Sequence, residues 1–87
     1  MLSCQYENYQ VLRWWQRGSI ISQGSIINAA FNGSERFRVT LKLQEKQYEL
    51  QILTTTEEDL GVYVCEAQFN SIVIETKVIL RLAGKII

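Results

Sequence analysis

Histidine and proline are both missing from this 87-residue chain, methionine occurs once, and cysteine only twice. Without histidine the chain loses the side chain most often used as a general base and as a metal ligand. Two cysteines fall short of the four ligands a structural zinc site needs, and no metal or other cofactor is implied. Neither sign of charge dominates, since nine basic residues balance nine acidic ones and the two are interspersed. That removes the electrostatic footprint of a nucleic-acid-binding or anionic-membrane-binding protein. Apolar runs are a few residues long, against about 20 for a membrane-spanning helix. No charged start followed by an apolar core marks a signal peptide. If the chain works outside the cell, its leader and anchor are expected in segments beyond these residues. The length suits one domain, whose core is small enough to need a staple.

What the chain has instead is alternation. In "RFRVTLK" Phe37, Val39 and Leu41 alternate with Arg36, Arg38, Thr40 and Lys42, and "KQYELQIL" repeats the pattern with Tyr48, Leu50 and Ile52. "VLRWWQR" places Leu12 and Trp14 on one face, with Val11, Arg13, Trp15 and Arg17 on the other. "SIVIETKVILRL" sets Val78, Leu80 and Leu82 against Lys77, Ile79 and Arg81. A period of two is the signature of antiparallel strands with one wet face. Glycines in "QRGS", "SQGS" and "FNGSE", and the polar "LQEK", supply the turns. Short strands at short spacing predict an all-β sandwich or barrel. Ser19 to Phe31 reads either as two short edge strands or as one strand and an irregular loop.

Cys4 and Cys65 leave two readings open. They are buried inert thiols, or they form a disulfide that closes a loop of about 60 residues and stabilises by roughly 4 kcal/mol. The second reading implies an oxidising compartment.

One stretch carries more than a secondary structure. In "EEDLGVYVCEAQ", Asp59, Gly61, Tyr63 and Cys65 fall on alternate positions; upstream lie Cys4 and, ten residues later, Trp14. A cysteine, a tryptophan and then D-x-G-x-Y-x-C resembles the immunoglobulin superfamily. The register from Arg36 to Asp59 is similar to that of variable-type (V-set) domains, and the likeness runs from Met1 to Leu82. It implies a single V-set domain over residues 1–87, an all-β immunoglobulin-like antiparallel sandwich of two sheets with an inter-sheet disulfide between Cys4 and Cys65. It further implies that Trp14 packs on that bridge, that Tyr63 returns its hydroxyl to the backbone, and that Asp59 pairs with Arg36. Trp14 is the core tryptophan because Leu12 precedes it by two, whereas Arg13 stands two before Trp15. Besides a C-to-D segment shorter than in antibody heavy chains, which implies an abbreviated strand C″, the chain departs from the family in three ways. The usual first strand is missing or truncated before Cys4, Thr55 stands at a usually apolar position, and F-G-x-G-T is absent. The last departure argues against a rearranged antigen receptor.

"CEAQFNSIVIETKVILRLAGK" is similar to the same stretch of the cytotoxic T-cell coreceptors, through Ala67, Asn70, Ser71 and Ile72. In those coreceptors the outer face of the sheet formed by strands G, F and C makes a symmetric homodimer. The B–C, C′–C″ and F–G loops then grip a class I histocompatibility molecule. Carried over, the resemblance implies a homodimer face of Trp15, Arg17, Val64, Glu66, Val73 and Glu75. It also implies a ligand-binding end made of Tyr6, Glu7, Asn8 and Tyr9 with Phe69, Asn70, Ser71 and Ile72. An exposed tryptophan beside arginine and valine is chemistry enriched at interfaces; the bland alternative is that Ser19 to Ser22 cover Trp15. Tyr6 and Tyr9 resemble a paratope in composition, unless Tyr6 is simply packed beneath its loop.

"NGS" at Asn32 is a glycosylation sequon, although Asn-Gly also favours a hairpin turn. No catalytic constellation is present: no histidine activates a serine, and Glu57, Glu58 and Asp59 sit on a turn. The expectation is therefore a non-enzyme: the extracellular, membrane-anchored domain of a cell-surface immune receptor that binds a protein partner. Two alternatives stand beside it: a homophilic adhesion module, and a structural immunoglobulin domain of a tandem protein.

Overall fold

Alternating patterns become strands in the computed structural model, which describes residues 1–81. Strands β1 (Leu2–Gln5), β2 (Val11–Gln16), β3 (Ser19–Gln23) and β4 (Ile26–Ile27) are followed by a 3₁₀ turn at Ser34–Arg36. Next come β5 (Phe37–Lys42), β6 (Gln47–Ile52), a second 3₁₀ turn at Glu57–Asp59, β7 (Gly61–Phe69) and β8 (Ile72–Leu80). Ser19 to Phe31 thus holds two short strands. The sheet position read for Leu82 lies outside the described residues.

Two antiparallel sheets form, with strand orders β1–β6–β5 and β4–β3–β2–β7–β8. This is the V-type immunoglobulin sandwich, in which β1 to β8 stand for strands B, C, C′, C″, D, E, F and G. The extra C′ and C″ strands belong to the sheet that carries Trp14.

Leu12, Trp14, Tyr63 and Cys65 face inward from the larger sheet, and Cys4, Phe37, Tyr48 and Leu50 from the smaller; all are buried. Cys4 and Cys65 form a disulfide across the two sheets, with Cα atoms 6.5 Å apart. Trp14 is the register partner of Cys65, and its ring stacks on Tyr48 with centroids 5.7 Å apart. Its Nε1 is buried without a hydrogen-bond partner among the described residues. An unpaired donor costs about 1–3 kcal/mol, whereas burying an indole of about 150–250 Å² at about 25 cal/mol per Å² returns roughly 4–6 kcal/mol. Packing wins.

A bulge lies where the register slips between Trp14↔Ser22 and Trp15↔Ile20. Ile21 is the extra residue, so Ile21 and Ser22 both turn inward and are buried. The Ser22 hydroxyl lies 3.0 Å from that of Tyr48, which donates to the Gly24 carbonyl at 2.6 Å. Burial pushes the Tyr48 hydroxyl up to about 12.

The turn before β7 is wired by polar groups. Arg36 donates to both carboxylate oxygens of Asp59, at 2.8 and 2.9 Å, while the Thr56 backbone N–H donates to the same carboxylate at 2.9 Å. Arg36 and these donors pull the Asp59 carboxyl down to about 2. The Tyr63 hydroxyl donates to the Asp59 carbonyl at 2.6 Å, closing the tyrosine corner. Between them Gly61 has φ +126, which side chains rarely tolerate.

Candidate functional site

A sandwich spends one face of each sheet on its core, so recognition falls to the outer faces, the edges and the loops. On the larger sheet, strand register decides which residues share the outer face. Trp15 aligns with Val64 and Val64 with Lys77; Arg13 aligns with Glu66 and Glu66 with Glu75; Gln68 aligns with Val73. Trp15, Val64, Glu66, Val73 and Glu75 therefore share the outer face.

The centre of this face is tied together by hydrogen bonds. Trp15 Nε1 donates to Glu66 Oε1 at 2.6 Å, and Arg13 Nη1 lies 3.3 Å from Glu66 Oε2. Arg13 Nε also donates to Gln23 on β3 at 3.1 Å. Trp15 and Arg13 cover Glu66 so fully that it is only 8% exposed, although its strand position faces out. Glu66 is thus on the expected face, but as a buried anchor for Trp15 and Arg13 and not as an exposed contact residue of a homodimer. Around this centre Val62, Val73, Ile79 and Ile26 are exposed apolar groups.

Arg17 does not belong to this face. Strand β2 ends at Gln16, and Arg17, with φ 50, turns toward the other end of the sandwich. Its guanidinium donates to the Glu58 carbonyl at 3.4 Å, beside the turn before β7.

At the opposite end, the β1–β2 loop and the β3–β4 and β7–β8 turns cluster. Gln10 N–H donates to the Gln68 carbonyl at 2.6 Å, and Asn70 N–H donates to Gln10 Oε1 at 2.7 Å. Tyr6 is buried within the core cluster, edge-on to Tyr9 with centroids 4.9 Å apart. Burial raises its hydroxyl above the usual tyrosine range, with Tyr9 adding to the effect. Its expected role as a ligand-binding side chain is thereby corrected: the period of two that buries Cys4 buries Tyr6 as well. Tyr9 is half-buried, whereas Glu7, Asn8, Asn70 and Ser71 are exposed. Phe69 and Ile72 are not loop residues but the facing ends of β7 and β8, so the F–G connection is the tight turn Asn70–Ser71. Asn32 is exposed in the connection between β4 and β5.

Among the described residues, no group of three His, Cys, Asp or Glu side chains could hold a metal ion, and no helix is long and apolar enough to cross a membrane.

No protein-family model matches the chain, and no curated protein sequence does. Among solved structures, it is similar to a chain in the crystal structure of Dpr2 Ig1-Ig2 in complex with DIP-Theta Ig1-Ig3, with a TM-score of 0.71 at 18% identity. The match covers 97% of this chain and 39% of the other, so this chain spans about two fifths of its neighbour's length. A likeness at that identity establishes the immunoglobulin-like fold.

Proposed function

We propose that this domain is an extracellular protein-binding module whose partner docks on the outer face of the β4–β3–β2–β7–β8 sheet, around Trp15. The observation that carries the reading is the Trp15–Glu66–Arg13–Gln23 network at the centre of that face. It holds an indole and a guanidinium in fixed orientation before any partner arrives, ringed by exposed valine and isoleucine. Tryptophan and arginine dominate interface energetics, and a side chain already ordered pays less entropy on binding. The disulfide supports an oxidising location. The solved neighbour is itself a complex of immunoglobulin-domain proteins. The polar network is built to orient side chains and is not a catalytic arrangement, so the module is read as a non-enzyme.

The narrower reading is a membrane-anchored immune coreceptor that dimerises and takes a class I histocompatibility ligand. It draws on the Ala67, Asn70, Ser71 and Ile72 likeness and on the exposed cluster of Glu7, Asn8, Asn70 and Ser71. In that setting Asn32, exposed in the β4–β5 connection and bordering the same hollow as Trp15, carries the glycan at the rim of that face. A homophilic adhesion module would use the same Trp15 face against its own kind.

Multimerised wild-type domain, screened against an array of extracellular domains that includes class I molecules and the domain itself, tests these readings. Each positive is repeated with Trp15→Ser and with Asn70→Arg. A loss of about thirtyfold in affinity with Trp15→Ser is the size of an interface hot spot and supports the sheet face. A loss confined to Asn70→Arg moves the site to the loop end, and binding untouched by either variant refutes both.

A further inference from the structure

Beside Trp15 lies an open hollow of about 550 Å³, bordered by Trp15, by Ser19 and Ile20 of β3, and by Asn28, Phe31 and Asn32 of the β4–β5 connection. Its volume falls within the range of about 300–1,000 Å³ that small-ligand clefts occupy. An indole, a phenyl ring and an isoleucine give it apolar walls, interrupted by two amides and a hydroxyl.

The walls are built before anything enters. Trp15 is fixed by the bond from its Nε1 to Glu66 at 2.6 Å. Asn28 clamps the β4–β5 connection to β3: its Nδ2 donates to the Ile20 carbonyl at 2.9 Å and its N–H to the Ile21 carbonyl at 2.8 Å. Its Oδ1 accepts from the Ala30 N–H at 3.1 Å, closing the turn. The Phe31 N–H donates to the Asn28 carbonyl at 3.0 Å, and the Phe31 ring stands edge-on to buried Phe37 with centroids 5.3 Å apart. Asn32 follows this anchored ring in an exposed position, and Gly33 then turns the chain with φ +82. The sequon asparagine is thus held at the lip of a preformed cleft by the residue before it.

We propose that this hollow is the seat of the first sugar attached to Asn32, so that the glycan fills it and covers the β3 side of Trp15. The proposal rests on the reading of the domain as extracellular with Asn32 as its acceptor. Attachment breaks the bond from sugar C1 to the pyrophosphate of a lipid-linked donor and forms one to Asn32 Nδ2. The amide gives up a proton and the lipid pyrophosphate leaves. An N-acetylglucosamine ring has a face of C–H groups, a rim of hydroxyls and an acetamido methyl. Its apolar face and methyl are matched by Phe31 and Trp15, and its hydroxyls by Ser19 and solvent. Because the sugar is tethered one bond from the cleft, it pays no translational cost on entering, and weak contacts suffice to hold it.

Asn32 also borders a second hollow, shared with Arg17, Arg36, Glu58 and Asp59. There Arg36 is already bound to the Asp59 carboxylate, and Arg17 to the Glu58 carbonyl. A sugar entering would give up charge-assisted bonds that its hydroxyls replace only weakly. The Trp15 side demands no such exchange. On the β7 side of Trp15, where Val64 and Glu66 lie, the face stays open. The glycan would therefore confine a docking partner to the β7–β8 half of the sheet.

Trp14 is 0% exposed and Trp15 only half-buried, so acrylamide quenching of tryptophan emission reads Trp15. The comparison uses the domain secreted by glycosylating cells, the same material trimmed to a single N-acetylglucosamine, and two bare variants. Asn32→Gln removes the acceptor, and Ser34→Ala removes the sequon while keeping the asparagine. Covering one side of the indole is expected to lower the quenching constant about twofold relative to both bare variants. Trimming to one sugar is expected to keep that decrease. Nuclear Overhauser contacts from the acetamido methyl of the trimmed form to the Trp15 and Phe31 rings are expected as a second readout. A secreted chain with bare Asn32 overturns the proposal, as does equal quenching with and without sugar, or methyl contacts to Arg17 in place of Trp15. Thiol titration of the same sample separates the readings: an intact Cys4–Cys65 bridge beside a bare or unseated Asn32 sinks the sugar seat alone. Docking on Trp15 is likewise left standing, because no partner protein is in the experiment.

Discussion

Replacing Asp59 with asparagine removes one negative charge and leaves the rest of the turn in place. Its carboxylate takes both guanidinium donors of Arg36 at 2.8 and 2.9 Å, the Thr56 N–H at 2.9 Å and the Thr56 hydroxyl at 3.2 Å. The Asp59 side chain is 8% exposed and that of Arg36 31%, so the acid is shielded from water more than its partner. The carboxyl falls from an ordinary 3.8 to about 2, with the Arg36 hydrogen bonds as the first cause. At about 1.36 kcal/mol per pH unit, that drop corresponds to about 2 kcal/mol of folding stability. Because the folded value lies below the unfolded one, this contribution is fully present above about pH 4 and disappears as pH falls toward 2. The substituted side chain would also aim an amide N–H₂ at donors, leaving Arg36 or Thr56 short of an acceptor. The total expected loss at neutral pH is therefore about 3 kcal/mol, at the lower end for breaking a buried pair because Arg36 is partly solvated. In a domain this small that lowers Tm by roughly 10–20 °C. Urea unfolding of D59N and wild type at a series of pH values measures it. Two curves less than about 1 kcal/mol apart at neutral pH, or equally steep between pH 4 and 2, would refute the reasoning.

Two further outcomes follow from the core. Cys4→Ala with Cys65→Ala removes a link between residues 61 apart, for an expected loss of roughly 4 kcal/mol in the chain-entropy model; a midpoint in urea within a fifth of the wild-type value would contradict it. Tyr48, pushed up to about 12 by burial, stabilises the fold below pH 10 and ceases to do so as pH rises toward 12. Tyr48→Phe should therefore flatten the loss of stability in that window, and an unchanged alkaline profile would count against the assignment.

The fold was legible because two physical signals agreed. Alternation identified strands, and the resemblance of Cys4, Trp14 and the D-x-G-x-Y-x-C run ending at Cys65 to the immunoglobulin superfamily implied how two sheets stack. Side-chain placement was legible only as far as each strand ran. Counting by twos carried Arg17 onto the sheet face, but β2 stops at Gln16 and a left-handed residue turns the chain aside. Tyr6 lay within reach of the same rule that buried Cys4, and its resemblance to paratope chemistry obscured that. Glu66 is on the expected face yet covered by residues some fifty positions earlier in the chain, and local pattern carries no information about such cross-strand partners. The bulge at Ile21 was likewise invisible, because "SIISQ" is compatible with either face pointing inward.

The bridge also governs how this domain answers to mechanical pull. Tension entering near Cys4 passes through sulfur straight into β7 and bypasses everything between. The enclosed segment, with a sequence separation of 61, would extend to roughly 200 Å at about 3.3–3.6 Å per residue, and while oxidised it lends none of that length. Reduction alone releases the slack, so a tethered array of such domains would stretch far or hardly at all according to the thiol chemistry around it.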